Sequence, residues 1–232
     1  MKVPHKQNPV VQRIRIRYAK RGRLRFTSHR DFARAFERAL RRSGIPIAYS
    51  SGFSPHPKIS YMGAAPTGMA SEAEYLEIGL QAEMDVAEVG QRLDAALPEG
   101  LDIVESSPVD GVDLATWLTA SLWMIEISGD HTEIEAEIRS FLESSERIIT
   151  RKGKDGERQI DVRPAVASLV IDNRPSEQVI LRVVVSHGTP TVRPDDLLAA
   201  LRIEGLASRS TRLAQGPLDE LAGVAADPIG QK

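Results

Sequence analysis

From Val11 to Tyr18 apolar and charged residues alternate, with Ile14, Ile16 and Tyr18 on one side and Arg13, Arg15 and Arg17 on the other. A period of two predicts a half-buried strand with a basic outer face. Lys20-Arg21-Gly22 reads as a turn, after which Leu24 and Phe26 resume the apolar side and Arg23 and Arg25 the basic one. Ser28-His29-Arg30-Asp31 has the spacing of a capping box, a serine followed three residues later by an acid. The helix it opens runs to about Ser43. Phe32, Phe36, Ala39 and Leu40 are its buried stripe, Arg34, Arg38, Arg41 and Arg42 line the outside, and Gly44 and Pro46 stop it.

A loop rich in Gly, Pro and Ser follows, Tyr49-Ser50-Ser51-Gly52-Phe53-Ser54-Pro55-His56-Pro57-Lys58. Residues 58–64 and the alternation of Leu76, Ile78 and Leu80 predict two strands. A helix over 85–97 carries Val86, Val89, Leu93 and Leu97, and Leu101–Val104 gives a last strand. Strand, helix, strand, strand, helix, strand is the order of a ferredoxin-like unit. After a break at 105–120 the order recurs. Trp123, Ile125 and Ile127 mark a strand, Ile134, Ile138, Phe141 and Leu142 a helix, Ile148 and Ile149 a second strand, and Val179–Val185 a third. Leu197, Leu198 and Leu201 mark a short helix, and 207–213 a closing strand. The expected class is therefore α+β, two tandem ferredoxin-like (βαββαβ) units with antiparallel sheets. The units span 11–105 and 121–215, the second with an insertion at 153–177, and a flexible acidic tail covers 216–232.

The chain of 232 residues holds no cysteine. Zinc–thiolate sites, thiol nucleophiles and iron–sulfur ligands are thereby excluded. No apolar run reaches the ~18 residues of a membrane span, and the opening MKVPHKQNPV lacks the apolar core of a signal peptide, so a cytoplasmic protein is expected. No phosphate-binding glycine loop, dinucleotide fingerprint or nucleophile elbow is present, and no cofactor is expected. Overall charge is −2, but residues 1–60 hold 15 Lys and Arg against two acids, a net +13, and the remainder is −15. So steep a split predicts a surface for nucleic acid or an acidic partner at the N-terminal end.

The nucleic-acid-binding candidates are Arg13, Arg15, Arg17, Arg23, Arg25, Arg30, Arg34, Arg38, Arg41, Arg42, Phe53, His56 and Lys58. The motif loops Ser28, His29, Asp31 and Ser50, Gly52, Phe53, Pro55, His56, Pro57, Lys58 stand at their centre. If the helix start and the loop meet, free helical N–H groups attract phosphate, Arg30, Arg34 and Lys58 add charge, and Phe53, Tyr49 and Tyr61 offer stacking faces. His29 has three readings: a loop anchor, a phosphate or base contact, or a general base on a ribose hydroxyl. His29, His56 and Asp31 are a thin metal trio, and no metal is expected. Glu72/Glu74 and Glu133/Glu137 read as a strand edge and a solvated helix face. Asp161 and Arg163 read as a local ion pair.

Arg25-Phe26-Thr27-Ser28-His29-Arg30-Asp31, Arg38–Pro46, Tyr49–Ser60, Pro66-Thr67-Gly68 and Glu74-Tyr75 together resemble the radical-SAM-associated (radical-SAM-linked) family. The likeness is strong over 13–80 and diffuse to 213. It implies partnership with a radical-SAM enzyme in another chain, since this one lacks the cluster's three thiolates. The expected role is an accessory RNA-binding or substrate-presenting protein in RNA modification or processing. The alternative, from fold-level similarity, is a metal-independent endoribonuclease of the CRISPR RNA-processing type using His29.

Overall fold

The computed structural model describes residues 9–109, 111–153, 156–172 and 178–226. It divides the chain into two compact units, 1–115 and 116–232. Both are α+β with antiparallel sheets.

In the first unit β1 (Gln12–Lys20) carries the expected alternation, with Ile14, Ile16 and Tyr18 buried. Residues Gly22–Phe26 are a 3-10 turn rather than a resumed strand, and Phe26 is 59% exposed. The helix α1 (His29–Ser43) is capped by Ser28 and ends where Gly44 adopts φ 68°, a left-handed conformation that favours glycine. Its stripe Phe32, Phe36, Ala39 and Leu40 is buried. Next come β2 (Ile59–Met62), β3 (Ala70–Leu80), α2 (Val86–Ala96) and β4 (Ile103–Pro108). The strands order as β4-β1-β3-β2, every neighbouring pair antiparallel. Both helices pack their apolar faces onto one side of this sheet, around Ile14, Ile16, Leu76, Ile78, Val89 and Leu93.

The second unit begins with β5 (Ala120–Ile127) and α4 (His131–Glu143), after a short helix α3 (Leu114–Trp117) that spans the division. Then follow β6 (Ile148–Gly153), β7 (Gly156–Asp161), β8 (Val166–Asp172), β9 (Val179–Ser186), α5 (Pro194–Ala200), β10 (Ser208–Gly216) and α6 (Leu218–Ala226). Its sheet runs β10-β5-β9-β8, again antiparallel.

Two boundaries differ from expectation here. Ile148 and Ile149 belong to a separate hairpin, β6 with β7. The second sheet strand is β8, inside the stretch assigned to the insertion; Leu169 and Val166 are buried, whereas Ile148 is 54% exposed. Residues 154–155 and 173–177 of that stretch lie outside the described residues. The tail also differs: Leu218–Ala226 form a helix whose Leu221 is buried with Ala120, Leu122 and Val184. Residues 227–232 lie outside the described ones.

Candidate nucleic-acid interface

Strand register decides which basic residues are available. Across the outer sheet face of the first unit, Arg15 stands opposite Glu77 and Arg17 opposite Glu105. Arg15 Nη2 lies 2.9 Å from Glu77 Oε1, with both side chains about 15% exposed, and it also donates to the Val112 carbonyl. Arg17 lies 3.2 Å from Glu105. Arg21 is held by Glu72 and Asp102, and its hydrogen bond to Glu72 raises its pKa most. Arg13 stands opposite Gly79, which has no side chain, and forms no ion pair among the described residues. The expected continuous basic face on β1 is therefore interrupted. Acids from later in the chain meet Arg15 and Arg17 directly.

On α1 the outcome is different. Arg30, Arg34, Arg38 and Arg41 are all exposed and, at 100° per residue, fall within an arc of about 80° over some 16 Å of helix. Arg34 lies 3.9 Å from Asp31 and Arg41 3.5 Å from Glu37, both open, solvent-screened contacts. Arg30, Arg38 and the neighbouring Arg23 have no ion pair among the described residues. Arg42 donates to the Ala96 carbonyl of α2, so it is drawn off this row. Arg25 lies over the Phe26 ring at 4.7 Å, half-buried.

At the helix start Ser28 Oγ accepts from the Asp31 N–H at 3.2 Å and donates to its carboxylate at 2.7 Å. The acid thus meets the serine hydroxyl rather than closing the box onto the backbone. His29 is exposed, its ring edge-on to Tyr61 at 5.1 Å. Tyr61 points inward beneath α1 against Phe32; burial, with Glu37 nearby, pushes its phenol pKa well up.

The 49–58 loop closes on itself. Ser50 N–H donates to the His56 carbonyl at 2.9 Å, and Lys58 N–H to the Ala48 carbonyl at 2.8 Å. At its base it turns away from the helix start. Ile59 pairs with Ile78 and Tyr61 with Leu76, whose side chains are buried toward the helices, so Lys58 and Ser60 point to the opposite sheet face. His29 and the loop base therefore lie on opposite sides of β2. Arg13, Ser50, His56, Lys58, Glu77 and Gly79 line a cavity of about 280 Å³ on the outer side. Among the described residues no three His, Asp and Glu side chains group as a metal would require, and His29, Asp31 and His56 are not brought together.

Of the proposed stacking rings, Tyr49 and Tyr61 pack against the core and only Phe53 is open, at 72%. Phe26 is a further open ring, because the 3-10 turn takes it off the apolar side that the alternation from Leu24 predicts. In the second unit the Asp161 carboxylate accepts the backbone N–H groups of Arg147 at 2.8 Å and Arg163 at 3.1 Å, while the Arg163 guanidinium lies over Phe141. This residue pins the hairpin base through the backbone.

No helix among the described residues is long and apolar enough to cross a membrane. No curated protein matches the chain. A solved structure, "Crystal Structure of a Cbf5-Nop10-Gar1 Complex", is similar with a TM-score of 0.48 and 12% identity over 90% of this chain. The chain spans 50% of the length of that structure's chain. The family model described as "Uncharacterized protein conserved in bacteria (DUF2344)" matches residues 13–194, well over half of the sequence, and the chain belongs to this family.

Proposed function

We propose that the exposed face of α1 binds single-stranded RNA, and that the protein is a cytoplasmic accessory presenting RNA to a separate radical-SAM enzyme. One observation carries the RNA reading: Arg30, Arg34, Arg38 and Arg41 form a solvent-facing row with two weak acid contacts, while Arg15 and Arg17 on the sheet are neutralised. Phe26, with Arg25 over it, precedes the row and offers a stacking face. The radical-SAM partnership rests on the resemblance of the motifs. We also read each unit as ferredoxin-like; the repeated antiparallel order, β4-β1-β3-β2 and β10-β5-β9-β8, supports that reading.

The test is the salt dependence of binding to a labelled single-stranded oligoribonucleotide, followed by fluorescence anisotropy. Each lost phosphate contact lowers the log–log slope by about 0.7, so Arg34→Ala with Arg38→Ala should flatten it by about 1.4. Phe26→Ala should weaken binding by about 1–3 kcal/mol if one base stacks there. Unchanged values in both variants would overturn the reading.

A second reading is favoured by the open position of His29 at the head of the row, where an imidazole can act as a general base. RNA cleavage by wild type in EDTA, abolished by His29→Ala, would establish it; intact RNA with retained binding leaves the accessory role.

A further inference from the structure

We infer that the cavity beside Gly79 binds a phosphomonoester, at a site separate from the α1 face and on the opposite side of the sheet. Arg13 is the register partner of Gly79, and the Gly79 N–H donates to the Lys58 carbonyl at 3.0 Å. Arg13, Gly79 and Lys58 thus form one row across three adjacent backbones. With strands about 4.8 Å apart, the two cationic residues stand about 10 Å from each other, with no side chain between them.

The adjoining row shows what this one lacks. There Arg15 faces Glu77 and is neutralised, so the carboxylate that reaches the cavity is already engaged. Arg13 and Lys58 have no carboxylate partner among the described residues, although both line one concave surface. Two like charges held at a cavity repel unless an anion lies between them. A phosphomonoester carries about −1.5 to −2 at neutral pH and matches the pair, and a guanidinium can fork onto its oxygens.

The rim is fixed. Ser50 Oγ accepts the His56 N–H at 3.0 Å and Ser50 N–H binds the His56 carbonyl at 2.9 Å, which fixes the His56 backbone where this residue lines the cavity and leaves the serine hydroxyl proton to donate. Gly79 keeps this row open: a Cβ there would meet both Val10 methyls at 3.1 Å, tight enough that they would have to shift by a few tenths of an ångström. Val10 supplies an apolar wall for the organic part of the ligand.

A phosphomonoester can come from a free nucleotide or from the end of an RNA strand. With the full chain, calorimetry compares 5′-AMP with adenosine, and anisotropy compares oligoribonucleotides bearing a 5′-phosphate, a 3′-phosphate or neither. We expect at least a tenfold preference for the phosphorylated member of one of these sets. The preference should vanish in Arg13→Gln with Lys58→Gln and weaken in His56→Ala, each checked for an unchanged circular dichroism melt. A preference among nucleotides identifies a free ligand, and one confined to oligonucleotides identifies a strand end. No preference in either set, or one that survives the double variant, overturns the inference. Arg34→Ala with Arg38→Ala should leave the preference intact, so failure of the α1 reading and failure of the cavity are separately visible.

Discussion

His187 lies between two oxygens of the second unit, with Nδ1 2.7 Å from the Leu118 carbonyl and Nε2 2.7 Å from Ser121 Oγ. A carbonyl only accepts, so Nδ1 carries the proton and neutral Nε2 accepts the buried Ser121 hydroxyl. Burial lowers the pKa most and the Arg212 charge adds to it, while the carbonyl bond opposes. The sign follows: the unfolded chain binds a proton near pH 6.5 that the folded unit takes up only at lower pH. Stability should therefore be full at pH 7.5 and fall as pH drops through 6.5. The melting temperature of His187→Gln should lose that part of the decline, seen as the difference from wild type between pH 7.5 and 5. Among the sheet arginines, register gives opposite expectations. Arg15→Ala leaves Glu77 half-buried without its partner and should cost about 1–3 kcal/mol in chemical denaturation. Arg13→Ala, facing a glycine, should cost close to nothing.

At the level of elements, β2 meets α1 through Tyr61, whose hydroxyl is buried with no hydrogen-bond partner among the described residues. An unpaired buried hydroxyl is costly, so Tyr61→Phe should stabilise the first unit by about 1 kcal/mol, read as a higher denaturation midpoint. The edge contact to His29 would be kept. The elements of this unit were legible wherever burial follows a local period: Ile14, Ile16 and Tyr18 at two, Phe32, Phe36 and Leu40 at three to four. Elsewhere, pairing had to decide. Ile148–Ile149 and Val166–Leu169 are both short segments with two apolar residues of strand-forming size, and only the second finds β9. Whether the 49–58 loop reaches His29 depends on which side of β2 Lys58 takes, which follows from its register with β3. The fate of Arg15 depends on Glu77, 62 residues later. The open row on α1 was readable because a helix face is fixed by its own sequence.

Across the whole molecule, the steep charge split along the chain folds away. The first unit holds 16 Lys and Arg and 14 acids, a net +2, although its first 60 residues alone carry +13. The second unit, with 14 bases and 18 acids, carries −4. A net charge so small gives little long-range steering, and at physiological salt the screening length is about 8 Å. RNA affinity must then arise where guanidinium groups touch phosphate, not from a broad positive field. The two origins separate under mutation. Arg15→Gln with Arg17→Gln removes the same charge as the α1 double variant, but from sheet positions already paired with acids. Contact binding predicts an unchanged salt slope for the sheet pair and a loss of about 1.4 for the α1 pair. Equal losses would mean that net charge, and not the row on α1, governs binding.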